Sequence, residues 1–214
     1  MKKLTSIIAT TTLALAVAGS AHALQITVSA GGVYDTTVNN ATIINFSDDT
    51  LGAYTGGTGD YAIVSGSSSG QYAAPYNLGN TNKYLTVPNA NDSGSATFSL
   101  GQNANYFGLF WGSIDNYNDI NFFLDNTEVA SVNGTELKTI DPNILVQGNQ
   151  LSFSDNRYVN FFFGSQSFDA VQLVSDRNAF ETDNHAFAMV PEPATLALLG
   201  LGLFGLGAAR RRRA

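Results

Sequence analysis

The densest group of residues able to do chemistry lies between Tyr106 and Phe123, reading YFGLFWGSIDNYNDINFF. Asp115, Asn118 and Asp119 offer side-chain oxygens within one turn, the hard donors of which a cation such as Ca²⁺ takes roughly six to eight. A second oxygen set places Asp183 and Asn184 before the expected last strand and Asp48 and Asp49 just after Phe46. The competing reading is that Asp and Asn simply form turns, and no EF-hand or nonapeptide calcium spacing is present. Trp111, Tyr117 and Tyr76 could stack on the apolar face of a sugar ring. Trp111 has a competing reading as a core residue, where a lone Trp of a β-protein often sits. Tyr117, inside a polar connection, is the better candidate for an exposed ring.

Catalytic groups are sparse. Glu128, Glu136 and Glu181 are scattered rather than paired on one strand, and a retaining glycosidase needs two carboxyls about 5 Å apart. A Ser-His-Asp triad would have to use His185, and the chain has no G-x-S-x-G elbow. There is no cysteine, which removes thiol catalysis and Cys-based metal sites. The expectation is a protein that is not an enzyme and carries no cofactor, with calcium as the one candidate metal.

The elements that must position these residues read as β. Short β-branched and aromatic runs are separated by Gly, Asn, Asp and Ser. Expected strands are Gln25–Ser29, Ala41–Phe46, Tyr61–Val64, Lys83–Val87, Ala96–Leu100, Tyr106–Trp111, Ile120–Leu124, Glu128–Val132, Leu151–Ser154, Arg157–Phe163, Ala170–Val174 and His185–Met189. Ala96-Thr97-Phe98-Ser99-Leu100 alternates at period two, as a half-buried strand does. Phe161-Phe162-Phe163 does not, which suits a strand covered on both faces. Asn133-Gly134 reads as a turn, the 56–70 stretch as a long loop around one short strand, and no window between the termini has a helical period. About twelve short strands in one domain point to an all-β, two-sheet antiparallel sandwich of jelly-roll type.

Both ends of the chain carry their own signals. Met1-Lys2-Lys3, an apolar run to Ala18 and the small-x-small box Ala21-His22-Ala23 read as a signal peptide, residues 1–23, with cleavage before Leu24. The sandwich domain is then 24–189. Residues 190–214 place Pro191, Glu192 and Pro193 ahead of a glycine-interrupted apolar run and a basic cluster, Arg210, Arg211, Arg212 and Arg213. Fifteen helical residues from Thr195 to Ala209 would span roughly 22 Å, short of the bilayer's roughly 30 Å core, so insertion needs snorkelling arginines or local thinning. The arginines would stay cytoplasmic.

Subtracting both ends leaves four basic residues, Lys83, Lys138, Arg157 and Arg177, against sixteen acids, near −12 rather than the −7 of the whole chain. A domain so acidic argues against nucleic acid and anionic membrane surfaces as partners, both of which need a basic patch.

The order Pro-Glu-Pro, apolar run, arginine cluster resembles the PEP-CTERM sorting signal of Gram-negative bacteria that make an extracellular polymer matrix. The resemblance implies processing by an exosortase-type membrane cysteine transpeptidase that cuts near the Pro-Glu-Pro box. It also implies signal peptidase as a partner, transient inner-membrane insertion, and a final place at the cell surface, outer membrane or extracellular matrix. It covers about 25 of 214 residues and is silent on what the sandwich does. The aromatic strand and W-G-S-x-D-x-Y-N turn at 106–118 look like a recurring feature of such sorted proteins, whose bodies mostly have no assigned activity. The expected function is therefore a non-catalytic, exosortase-sorted surface or matrix protein. Its alternatives are a jelly-roll module binding extracellular polysaccharide and, behind that, a polysaccharide-active enzyme.

Overall fold

The computed structural model describes residues 24–78, 82–89 and 91–191. The expected signal peptide, and Glu192, Pro193 and Arg210–Arg213 with the apolar run between them, lie outside the described residues. Within them run β1 (Gln25–Val28), β2 (Thr42–Ile44), β3 (Gly56–Gly59), β4 (Ala62–Ser65), β5 (Lys83–Val87) and β6 (Gly94–Ala104). There follow β7 (Tyr106–Gly112), β8 (Asn118–Leu124), β9 (Thr127–Asn133), α1 (Gly134–Ile140), β10 (Arg157–Phe162), β11 (Phe168–Ser175) and β12 (Phe180–Ala188).

The strands form two antiparallel sheets. One runs β1-β10-β7-β12-β5-β4, with β2 also on β12; the other runs β3-β6-β11-β8-β9. From β5 onward the chain winds between them so that β5-β12-β7-β10 faces β6-β11-β8-β9. This is the jelly-roll order, in which the first and last of the eight strands, β5 and β12, pair within one sheet.

Alternation explains the core. Ala96, Phe98 and Leu100 of β6, Ile120 and Phe122 of β8, and Val171 and Leu173 of β11 point inward at period two. They meet Phe107, Leu109 and Trp111 of β7 and Val159 and Phe161 of β10. The Phe122 ring has Phe107, Phe161, Phe163 and Phe168 around it, with centroids between 4.9 and 5.8 Å. Each such ring contributes roughly 1.5–3 kcal/mol by leaving water, and with no disulfide available this packing holds the sandwich together. Strand β7 is buried on both faces. Its outer face meets Tyr34, whose ring lies 5.1 Å from Phe110, and Thr36, whose hydroxyl bonds that of Tyr106 at 2.5 Å. Phe162 packs on that same outer side against Tyr106, so the Phe161–Phe163 run is indeed covered on both faces.

Four sequence expectations change. The 56–70 stretch holds two strands, β3 and β4. Asn133 caps a helix instead of making a hairpin turn: its side chain accepts Glu136 N–H, and Glu136 reaches back to Asn133 N–H, the reciprocal capping box. Leu151–Ser154 is a loop, for a reason given below. Strand β12 starts at Phe180, five residues earlier than expected, because Asp183-Asn184 is a bulge inside the strand. Pairing with β7 shifts register between Asp183 and Ala186, and Asn184 sits at φ 48°.

Candidate functional site

Where β7 ends and β12 begins, Gly112 pairs with Glu181. Phe180 and Thr182 face the core, so alternation turns Glu181 to the outer face of its sheet. Gly112 lies on that same face, and a Cβ there would meet Pro75 at 3.0 Å. Its absence lets the 66–78 loop settle onto the sheet. The space left between that loop and the β7–β8 connection is a cleft of about 270 Å³. Its walls include Tyr72, Ser113, Tyr117, Gly148, Gln150 and Glu181.

Two adjacent side chains hold the walls in place. The buried Asp155 carboxylate accepts four backbone N–H groups, from Leu145 and Val146 on Oδ1 and from Gln147 and Asn149 on Oδ2, at 2.9–3.2 Å. Next to it, Asn156 Oδ1 accepts Tyr76 N–H and Ser113 N–H, while its Nδ2 donates to Asn149 O and Ser152 O. Thus one dipeptide ties the 145–152 loop to the 66–78 loop and to the end of β7. Leu151–Ser154 cannot be a strand because its neighbours' backbone groups are spent on this hub. Neither residue was singled out from the sequence. Ser-Asp-Asn between two apolar runs was the only trace, and it reads equally well as an ordinary turn.

The cleft floor is polar and incompletely bonded. Glu181 is 2 % exposed; its Oε1 accepts Ala73 N–H at 2.7 Å, and Oε2 has no hydrogen-bond partner among the described residues. Burial pushes the Glu181 carboxyl up to about 8, so at neutral pH it is mostly protonated and one oxygen can donate. Ser113 Oγ is also buried without a partner among those residues. Tyr117 borders the cleft half-buried, with the Arg177 guanidinium 4.7 Å from its ring centroid. Burial, then the neighbouring Asp115 charge, raises its hydroxyl well above the ordinary tyrosine value, which keeps it a donor.

The other sequence candidates fall elsewhere. Trp111 is fully buried, its ring 4.5 Å from that of Phe180; it takes the core position and cannot serve as a stacking platform. Tyr76 rests edge-on against Phe153 in a neighbouring depression. Asp115, Asn118 and Asp119 do not converge. The Asp115 oxygens accept Tyr117 N–H and Asn118 Nδ2, and Asn118 Oδ1 accepts the Ser175 hydroxyl. Period two on β8 sends Asp119 to the opposite face. Burial lifts Asp115 to about 6, against the pull of those hydrogen bonds, which favour the charged form. The second oxygen set also divides. Asp49 pairs with Lys83, Asp48 caps Thr50, and Asp183 and Asn184 border a cavity that also contains Lys83. Neither set forms a cation cage, since the oxygens are engaged or point apart. His185 is a core residue, with Nδ1 bonded to the Tyr54 hydroxyl at 2.7 Å and Nε2 to the Thr182 hydroxyl at 2.8 Å. It lacks the serine and carboxylate neighbours of a triad.

Comparison with known proteins adds a tail and a distant likeness. Residues 190–213 match the PEP-CTERM protein-sorting motif. That motif marks the chain as an exported protein sorted to the surface and processed by an exosortase. No curated protein matches the chain. Among solved structures it is similar to CsCBM6-3 from Clostridium stercorarium, determined with cellobiose, at 15% identity over 70% of this chain and 94% of that one, TM-score 0.37. It is also similar to CBM32-3 from a family 31 glycoside hydrolase of Clostridium perfringens, at 14% identity over 60% and 91%, TM-score 0.34. The jelly-roll assignment rests on the strand order above and not on these distant likenesses.

Proposed function

We propose that this sorted surface protein is non-catalytic and that its sandwich binds a neutral carbohydrate in the cleft under the 66–78 loop. The observation that carries this reading is the pair of buried polar groups without a hydrogen-bond partner among the described residues, Glu181 Oε2 and Ser113 Oγ, on the floor of a cleft bordered by Tyr72 and Tyr117. Each unmade hydrogen bond costs about 1–3 kcal/mol. Sugar hydroxyls donate and accept, so one ring can answer both groups while its apolar face packs on a tyrosine. A neutral sugar fits better than a uronic acid because the domain is strongly acidic.

The same residues support the non-catalytic reading. Most glycoside hydrolases flank the scissile bond with two carboxyls. Glu181 is the one carboxyl on this cleft's wall among the described residues, and both Asp115 oxygens are engaged.

A glycan array with wild type and Tyr117→Ala tests the binding. The expected result is neutral glycans bound by wild type and lost in the variant, at least about tenfold weaker. No bound glycan, or equal binding by the variant, removes the assignment.

A further inference from the structure

Asn105 occupies the corner between β6 and β7 and is 7 % exposed. Its backbone joins two strand ends, donating to Ala188 O at 3.0 Å and accepting Phe163 N–H at 2.8 Å. Its side chain reaches further along the chain. Oδ1 accepts Val190 N–H at 2.6 Å, and Nδ2 donates to Val190 O at 2.8 Å and to Gly164 O at 2.7 Å. One amide therefore occupies both backbone polar groups of Val190, which only a side chain with a donor and an acceptor side by side can do. The Val190 side chain is held too, packed against the small cluster of Tyr106, Ala186 and Ala188. Met189, between the two attachment points, is 57 % exposed. Pro191 follows at once, exposed and without an N–H to extend a ladder.

The fold thus runs without slack to the residue before the Pro-Glu-Pro box. An enzyme that cuts a peptide reads it extended, pairing with its backbone N–H and C=O groups. Groups already bonded within the substrate are withheld until that part opens locally. We infer that the Asn105–Val190 clamp sets the upstream boundary of what the sorting enzyme can read, so that processing cuts on the C-terminal side of Val190. In that cut the scissile peptide bond breaks. The acyl carbon passes to the enzyme's cysteine sulfur as a thioester, and the released tail's amine takes the thiol proton. An amine or water then frees the acyl end. Asn105 is a positioning residue in this step: it touches no reacting atom and acts through Val190.

The test is the mature C-terminus of the full chain, read by intact mass in cells that carry a working exosortase, with melting temperature measured alongside. Wild type is expected to give one end, beyond Val190. Asn105→Ala is expected to add ends at or before Val190, or to be processed about fivefold faster, the equivalent of one lost hydrogen bond. Asn105→Asp keeps the acceptor for Val190 N–H and loses the donor, so it should show a smaller change in the same direction. It stands in if Asn105→Ala does not accumulate. A wild-type end upstream of Val190, or folded variants with wild-type ends and rate, would overturn the inference.

Discussion

Glu181, Asp183, Asp115 and His185 are four buried titratable side chains whose shifts make stability depend on pH. Burial raises Glu181 to about 8, Asp183 to about 7 and Asp115 to about 6, and lowers His185 to about 3. A raised carboxyl holds its proton more tightly folded than unfolded. Its contribution is complete below the unfolded value near 4 and is lost as pH climbs through the folded value. His185 works the other way, losing stability as pH falls below about 6.5, where the unfolded imidazole charges. Between about pH 5 and 6 three carboxyls outweigh one histidine, so stability falls as pH rises there and keeps falling toward 8. The melting temperature should be higher at pH 5 than at pH 8. Glu181→Gln should flatten the curve, adding on the order of 2–4 kcal/mol at pH 8 and little at pH 5, by thermal or denaturant unfolding. A variant whose profile parallels wild type would show that Glu181 is not the buried carboxyl described. These values were not legible in the sequence, where Glu181 was one scattered acid among three. Its burial depends on Gly112 and Pro75, two residues far from it in the chain.

At the scale of elements, alternation made most strands legible: β6, β8 and β11 carry their inward residues at period two. What misled were polar residues with tertiary duties. Asp183 and Asn184 look like a loop and are a bulge inside β12. Asn133-Gly134 looks like a hairpin and is the start of α1. Asp155 and Asn156 look like a turn and tie two loops to the end of β7. In each case the local residue type is compatible with the observed role, but only distant partners select it. The cap on α1 can be weighed. Asn133→Ala removes an acceptor for Glu136 N–H and should cost about 1 kcal/mol in urea unfolding. A loss well under that figure would mean that α1 is held by Leu137 in the core rather than by its cap.

At the scale of the whole molecule, an acidic jelly roll is joined directly to a sorting motif, with the cleft walls built from loops on the outer face of one sheet. Destination and ligand are separate properties of separate segments. Deleting 190–214 should abolish surface sorting, seen by fractionation, while leaving the sandwich folded once Asn105 has lost only its Val190 contacts. An unchanged surface fraction would contradict the sorting reading. The binding claim is tested most directly by amide chemical-shift mapping of the ¹⁵N-labelled protein during titration with neutral oligosaccharides. Saturable shifts centred on Ala73, Ser113, Tyr117 and Gly148, all on the cleft wall, are the expected result. Shifts centred on another face, or none at millimolar sugar, would contradict it.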